Sequence, residues 1–267
     1  MKLKNKVAIV TGSGQNVGKE IVLLFSKNGA KVVVVGRDDQ KGLDVKDEII
    51  KSGGEAIYVH CDVTNPEEVK KLISITMIEY KKIDILINNV GYGIWGKITD
   101  QTIENWHKII NANLNSAFYC SKFALEEMLK NKDGGVIVNI SSIDGLVSAH
   151  GLPSYDAAKA GLINLTRSIA LDYAENNIRA NAICPGQIKQ KAGQSEERDK
   201  LFKNIENLKK QALEAVPMGR LCEPIEVAKA ALFLVSDDSS YITGTTWVID
   251  GGLLARSALP KYSKYLK

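Results

Sequence analysis

The chain has 267 residues, 45% of them hydrophobic and 25% charged, a make-up suited to one large globular domain or two small ones. Its 35 basic and 31 acidic residues alternate along the chain and leave a formal charge of +4, which describes solvated helix faces and argues against a nucleic-acid partner. No window approaches about 18 uninterrupted apolar residues, so no membrane span is expected.

Short β-branched runs alternate with helical patterns from the start. The basic opening Met1 to Lys6 leads only into Val7-Ala8-Ile9-Val10, too short an apolar stretch for a signal peptide. That first run ends in Thr11-Gly12-Ser13-Gly14-Gln15-Asn16-Val17-Gly18, and Val17, Ile21, Leu24 and Phe25 then share a helical face that Asn28-Gly29 terminates. Strand, glycine-rich turn and helix in that order predict a dinucleotide site, with Gly12 making the tight turn and helix-start amides facing a pyrophosphate. The second strand, Lys31–Val35, ends in Gly36-Arg37-Asp38-Asp39. A carboxylate at this strand's end holds the ribose 2′-hydroxyl of NAD. Here Gly36 takes that place, and the fork of Arg37 suits a 2′-phosphate. NADP is therefore favoured and NAD kept possible, since Arg37 could instead pair with Asp38 or Asp39 and Asp39 could turn toward the ribose.

The third strand is predicted over Ala56–Val59, and Thr64-Asn65-Pro66-Glu67-Glu68 opens a helix with a cap, a proline and acids near the positive dipole end. Further strands are expected at Ile83–Ile87, Gly135–Ile140, Ile178–Ile183 and Thr245–Ile249. The fifth runs into Ser141-Ser142, and a helix begins near Tyr155-Asp156-Ala157-Ala158-Lys159. Four apart, Tyr155 and Lys159 share a helix face, where an ammonium would favour the phenolate and make proton exchange with an alcohol or ketone oxygen feasible. By itself Tyr-x-x-x-Lys is weak evidence. Continuous rather than alternating apolar runs suit strands buried on both faces, so one doubly wound parallel sheet with helices on both sides is predicted, about seven strands in a single domain over 1–267. The polar stretch 187–218 reads as a substrate lid, and 253–267 as a C-terminal tail.

Together these motifs resemble the short-chain dehydrogenase/reductase family, from residue 5 to residue 252. Thr11 to Gly18 is similar to its TGxxxGxG turn, with Asn16, tolerant of left-handed backbone, at the middle glycine. The resemblance implies a Rossmann fold and a cofactor held by Gly12, Ser13, Gln15, Asn16, Val17, Gly18 and Arg37. Asp62-Val63 matches the adenine-binding pair, and Asn88-Asn89-Val90-Gly91 is similar to the NNAG motif, implicating Asn89 and Gly91. Ser142, thirteen residues before Tyr155, matches the catalytic serine, and Asn113 in Asn111-Ala112-Asn113-Leu114, placed mid-helix, completes a tetrad of Asn113, Ser142, Tyr155 and Lys159. Arg179 to Gly186 resembles the RVNAIAPG strand, so Pro185, Gly186, Ile188 and Ile140 join Tyr155 and Lys159 around the nicotinamide, with Gln190 where a threonine often contacts the carboxamide.

The implied activity is hydride transfer between a nicotinamide and a carbonyl or secondary alcohol. Trp95, Asp144, His150 and Gln187 are expected to line the substrate pocket with Ser142 and Tyr155, and the polar Asp144 and His150 hint at a sugar or polyol. A reductase of 3-oxoacyl chains on an acyl carrier protein is the alternative, disfavoured because Asp133 and Asn176 stand where such enzymes carry basic residues. A catalytically inactive cofactor-binding regulator is the rival of another class. The resemblance further implies a homotetramer, through the helices bearing Asn113 and Tyr155, with Phe118, Phe123, Leu162 and Leu165 as contact candidates. Cys61, Cys120, Cys184 and Cys222 are far apart and read as buried thiols of a cytoplasmic protein, and His60, His107 and His150 do not cluster with them, so no metal is expected.

Overall fold

A computed structural model describes residues 1–189 and 213–255. Seven strands form one all-parallel sheet in the order β3-β2-β1-β4-β5-β6-β7. They are β1 (Val7–Val10), β2 (Lys31–Gly36), β3 (Glu55–His60), β4 (Ile85–Asn88), β5 (Gly135–Ile140), β6 (Ile178–Pro185) and β7 (Thr246–Ile249). β4 starts two residues later than its apolar run suggests, because Asp84 turns in to accept the Val7 amide at 2.7 Å. The strand order reverses between β1 and β4, and in such sheets ligands bind beyond the carboxyl ends of the strands at that point.

Successive β1 residues explain the continuous apolar run. Ala8 and Val10 pack beneath α1 (Asn16–Lys27) and a late helix, Pro224–Val235, while Ile9 packs with α3 (Pro66–Tyr80) and α5 (Ser116–Met128). Both faces are covered, so no polar alternation survives. Further helices among the described residues are α2 (Asp39–Lys51), α4 (Ile103–Ile110) and α6 (Pro153–Asp172), and the late helix becomes α7.

Helix starts follow from local chemistry. Asp38, Asn65 and Thr102 cap α2, α3 and α4 through their side chains, and Glu223 with Glu226 forms a capping box on α7. A buried polar chain joins the middle of the sheet to the helices below: Asn88 donates to Asn139 at 2.8 Å and to Ser121 at 3.0 Å, and Asn139 donates to Thr166 at 2.8 Å. Arg179 clamps the carboxyl end of α7 by donating to the carbonyls of Leu234, Ser236 and Ile242. Residues 190–212 of the expected lid, Gln190 among them, and 256–267 of the tail lie outside the described residues.

Candidate active site

α1 differs from the other long helices of the sheet's first half. Its N-cap is Gln15, with no side-chain cap hydrogen bond and no acidic residue in the first turn. Its first amides are left for a ligand, and the positive end of the dipole favours an anion there. The turn that leads into it needs left-handed backbone at Gly12 (φ +62°) and at Asn16 (φ +50°), so Asn16 does take the conformation for which glycine is usual. Asn89 clamps the turn, donating its side-chain amide to the carbonyls of Thr11 and Gly12 at 3.0 and 3.2 Å.

A cleft of about 980 Å³ runs from this turn to Tyr155 and Lys159. Gly12, Gln15, Asn16, Val17, Arg37, Asp62, Val63, Asn89, Gly91, Trp95, Ile140, Ser142, Tyr155, Lys159, Pro185, Gly186 and Ile188 all line it. A nicotinamide dinucleotide fits the chemistry of these walls: uncapped amides at one end, a backbone cradle at Gly12 and Gly91, and the buried, unpartnered Asn16 Oδ1 beside the turn.

Five expected cofactor or substrate residues are placed differently, and Asn113 sits just behind the wall. Ser13 is fully buried; its hydroxyl donates to the Val10 carbonyl at 2.7 Å and accepts from the Val35 amide at 2.9 Å, while its own amide donates to the Val35 carbonyl. Its polar groups are spent on joining β1 to β2. Gly18 is a packing glycine, since a Cβ there would lie 2.4 Å from the Gly12 carbonyl oxygen. Gly18→Ala should therefore force the turn open, costing about 1–3 kcal/mol of stability, read as a lower urea midpoint together with weaker stabilisation by added NADP. Asp144 and His150 line a second cavity on the far side of Ser142. Asp144 sits in the 3₁₀ turn Ile143–Gly145, and neither it nor His150 is among the residues that line the cleft with Trp95 and Tyr155. Gln187 is absent from the cleft wall, and its carbonyl accepts the Cys222 amide at 2.9 Å.

Asn113 lies not in regular α-helix but in a π-helical turn, Asn111–Asn115, between α4 and α5. Such single-turn expansions are frequent at functional sites. Here it directs the fully buried Asn113 to donate to the Tyr92 and Ile109 carbonyls at 2.8 and 2.9 Å, leaving its Oδ1 without a hydrogen-bond partner. That oxygen and the Lys159 ammonium both approach the backbone at Gly91, where a Cβ would lie 2.5 Å from one and 2.7 Å from the other.

Lys159 is buried, donates to the Ile140 carbonyl at 2.9 Å and lies 5.5 Å from the Tyr155 ring centre; burial pushes its pKa down to about 8. The phenol of Tyr155 is held above its ordinary value, by burial first and then by the Asp144 carboxylate, with its hydrogen bond to Ser142 acting the other way. Burial thus outweighs the lowering expected from the ammonium. Of the two serines, Ser141 donates to the Lys159 carbonyl at 2.9 Å, so Ser142 is the one whose hydroxyl meets Tyr155.

At the adenosine end Arg37 is 70% exposed and touches Asp62 at 3.3 Å. Asp39 is held by Tyr58 at 2.8 Å and His60 at 2.7 Å, and Asp38 by Lys41, so neither engages Arg37. Lys41 lines the cleft, as do Lys108 and Asn111 on the far wall; none was expected from the sequence. Lys41 was in principle legible, sitting in the first turn of the helix that follows Arg37.

Among the described residues no His, Cys, Asp and Glu group could hold a metal ion, and no helix is long and apolar enough to cross a membrane.

A family model described as enoyl-(acyl carrier protein) reductase matches residues 12–254. The chain is 35% identical to a meso-2,3-butanediol dehydrogenase of Serratia marcescens, over 98% of this chain and 99% of that one. It is 37% identical to a 3-oxoacyl-(acyl-carrier-protein) reductase of Chlamydia pneumoniae, over 94% of this chain and 98% of that one. A crystal structure of a short-chain type dehydrogenase/reductase from Mycobacterium marinum matches with a TM-score of 0.87 and 30% identity, covering 96% of this chain and 98% of that one.

Proposed function

The chain belongs to the short-chain dehydrogenase/reductase family and is a nicotinamide-dependent oxidoreductase acting on CH–OH groups, and on that premise we propose that Tyr155 is its proton-transfer residue. One observation carries the assignment: Tyr155, Ser142 and Lys159 converge at one end of the cleft whose other end is the uncapped start of α1. Bound there, the nicotinamide supplies or accepts the hydride. Tyr155 gives its proton to the carbonyl oxygen in reduction and takes it back in oxidation. Ser142 donates a hydrogen bond to that oxygen as charge develops. Lys159 keeps positive charge beside the phenol and holds the nicotinamide ribose, and the free Asn113 Oδ1 anchors a water through which Lys159 exchanges protons with solvent. Turnover of cofactor on a panel of secondary alcohols, polyols and ketones, with Tyr155→Phe as the control, tests this reading and separates it from a binding-only regulator.

For the cofactor we propose NADP over NAD, supported by Arg37 and Lys41 at the adenosine end and by the capture of Asp39 by Tyr58 and His60. For the substrate we propose a secondary alcohol bearing a second hydroxyl. The support is the butanediol dehydrogenase relative, since Asp144 and His150 face the other cavity. A carrier-tethered chain is the second reading, favoured by the reductase relative; the exposed Asp133 and Asn176 offer an acidic carrier no positive charge. Four free thiols suit the reducing cytoplasm.

We further propose a homotetramer. Phe118 on α5 and Leu171 on α6 stand 47% and 80% exposed on the helices expected to assemble. Phe123 and Leu162 are buried in this chain's own interior, so those two drop out as contacts, while Leu165 is only partly buried. Light scattering at micromolar concentration should give four copies, and Phe118→Lys should lower that number. A wild-type monomer would sink the proposal.

A further inference from the structure

The one proton of Ser142 is already committed. Its hydroxyl donates to Asp144 Oδ2 at 3.1 Å and accepts from the Asp144 amide at 3.1 Å, although Ser142 lines the cleft together with Tyr155, where the reacting oxygen needs a donor. A serine carries one donatable proton and two lone pairs. A proton given to the carboxylate cannot also be given to the reacting oxygen, and an ionised acceptor holds it more strongly than a neutral one. The arrangement is fixed rather than accidental. The turn Ile143–Gly145 lies against the α6 backbone so closely that a Cβ on Gly145 would stand 2.8 Å from the Lys159 carbonyl group. Asp144 itself opens onto the second cavity, of about 660 Å³, and not onto the cleft.

We infer that Asp144 is a positioning residue that decides whether the single proton of Ser142 points back to its carboxylate or forward to the reacting oxygen. This rests on the role proposed above for Ser142. When Asp144 is ionised, Ser142 presents only a lone pair to the cleft; when Asp144 is protonated, the serine proton is released to the oxygen on which charge develops. The groups facing Asp144 are Tyr155, Asp156 and Lys159 from α6, with Lys97 and His150 on the same cavity wall and Cys184 near Lys159 on β6. Burial raises the Asp144 carboxyl above its ordinary 3.8, against the opposing pull of Ser142 and Lys159.

The test is kcat and KM for reduction of the fastest carbonyl from a panel of acetoin, cyclohexanone and aldoses, with NADPH saturating, from acidic to neutral pH. Wild-type kcat should fall as pH rises through the Asp144 titration. In Asp144→Asn and Asp144→Ala that limb should vanish, leaving kcat at neutral pH about three- to tenfold above wild type and KM for NADPH unchanged. Asp156→Asn, the neighbouring carboxyl with a pKa of about 6, should keep the wild-type limb. Ser142→Ala should be slow and without the limb. If both Asp144 variants keep the limb, lose turnover equally at every pH, or yield the limb to Asp156→Asn, the inference is overturned while the reading of Tyr155 stands. If Tyr155→Phe or Ser142→Ala turns over like wild type, or wild type reduces none of the carbonyls, that reading fails and the inference with it.

Discussion

Tyr155→Phe should lower kcat by about a hundred- to ten-thousandfold, the span ascribed to a positioned acid or base, while the Kd of NADP stays within a small factor of wild type. The variant keeps the ring packed between Lys159 and the loop at Gly93 and removes only the oxygen. Fluorescence titration of NADPH beside steady-state turnover reads both quantities. Lys159→Ala should fail on both counts, because the buried ammonium is also tied to Ile140 and placed for the nicotinamide ribose. Its charge sets a second expectation. With the ammonium pushed down to about 8, it is protonated below that value and neutral above it, so turnover that depends on its charge should decline as pH rises through about 8. That limb should remain in the Asp144 variants but move to lower pH, since the Asp144 carboxylate partly offsets the burial of Lys159. A Tyr155→Phe enzyme with near wild-type turnover would leave the proton transfer to another residue.

The sheet and the phosphate turn were legible because each rests on local chemistry: unbroken apolar runs such as Val32 to Val35, and a turn whose glycines sit where a strand meets a helix. Arrangements that depend on where a chain segment turns were not. The π-helical turn at Asn111–Asn115 leaves the same hydrophobic spacing as an ordinary helix until its extra residue is counted against α5. Ser13 reads as a polar residue in a phosphate loop, yet its direction is decided by Val35 on a neighbouring strand, twenty-two positions away. Asp144 and His150 flank the catalytic positions in sequence, and only the reversal at Ile143–Gly145 shows that they open onto another cavity. Lys41 entered the site through the first turn of α2, which brings it to the cleft beside Arg37.

Cofactor choice should be reversible at two positions. A charge-assisted hydrogen bond is worth about 1.5–3 kcal/mol, and about 1.4 kcal/mol is a factor of ten. Because the Arg37 side chain is 70% exposed, solvent screens its pull on a 2′-phosphate, and the preference it confers should sit near the lower end, about tenfold. Arg37→Ala should lose that preference by weakening NADP and leave NAD nearly untouched, with Lys41 retaining a residue of it. Gly36→Asp should go further. Nothing lies within 4 Å of the Cβ that Gly36 lacks, and its φ is not in the left-handed region, so the carboxylate enters without strain. There it accepts from a ribose hydroxyl and repels the phosphate, as carboxylates at this strand end do in NAD enzymes. The measurement is kcat/KM for both cofactors with one working substrate in wild type and the two variants. A wild-type enzyme that prefers NAD, with Arg37→Ala indifferent, would mean that Arg37 serves only to pair with Asp62 across the mouth of the cleft.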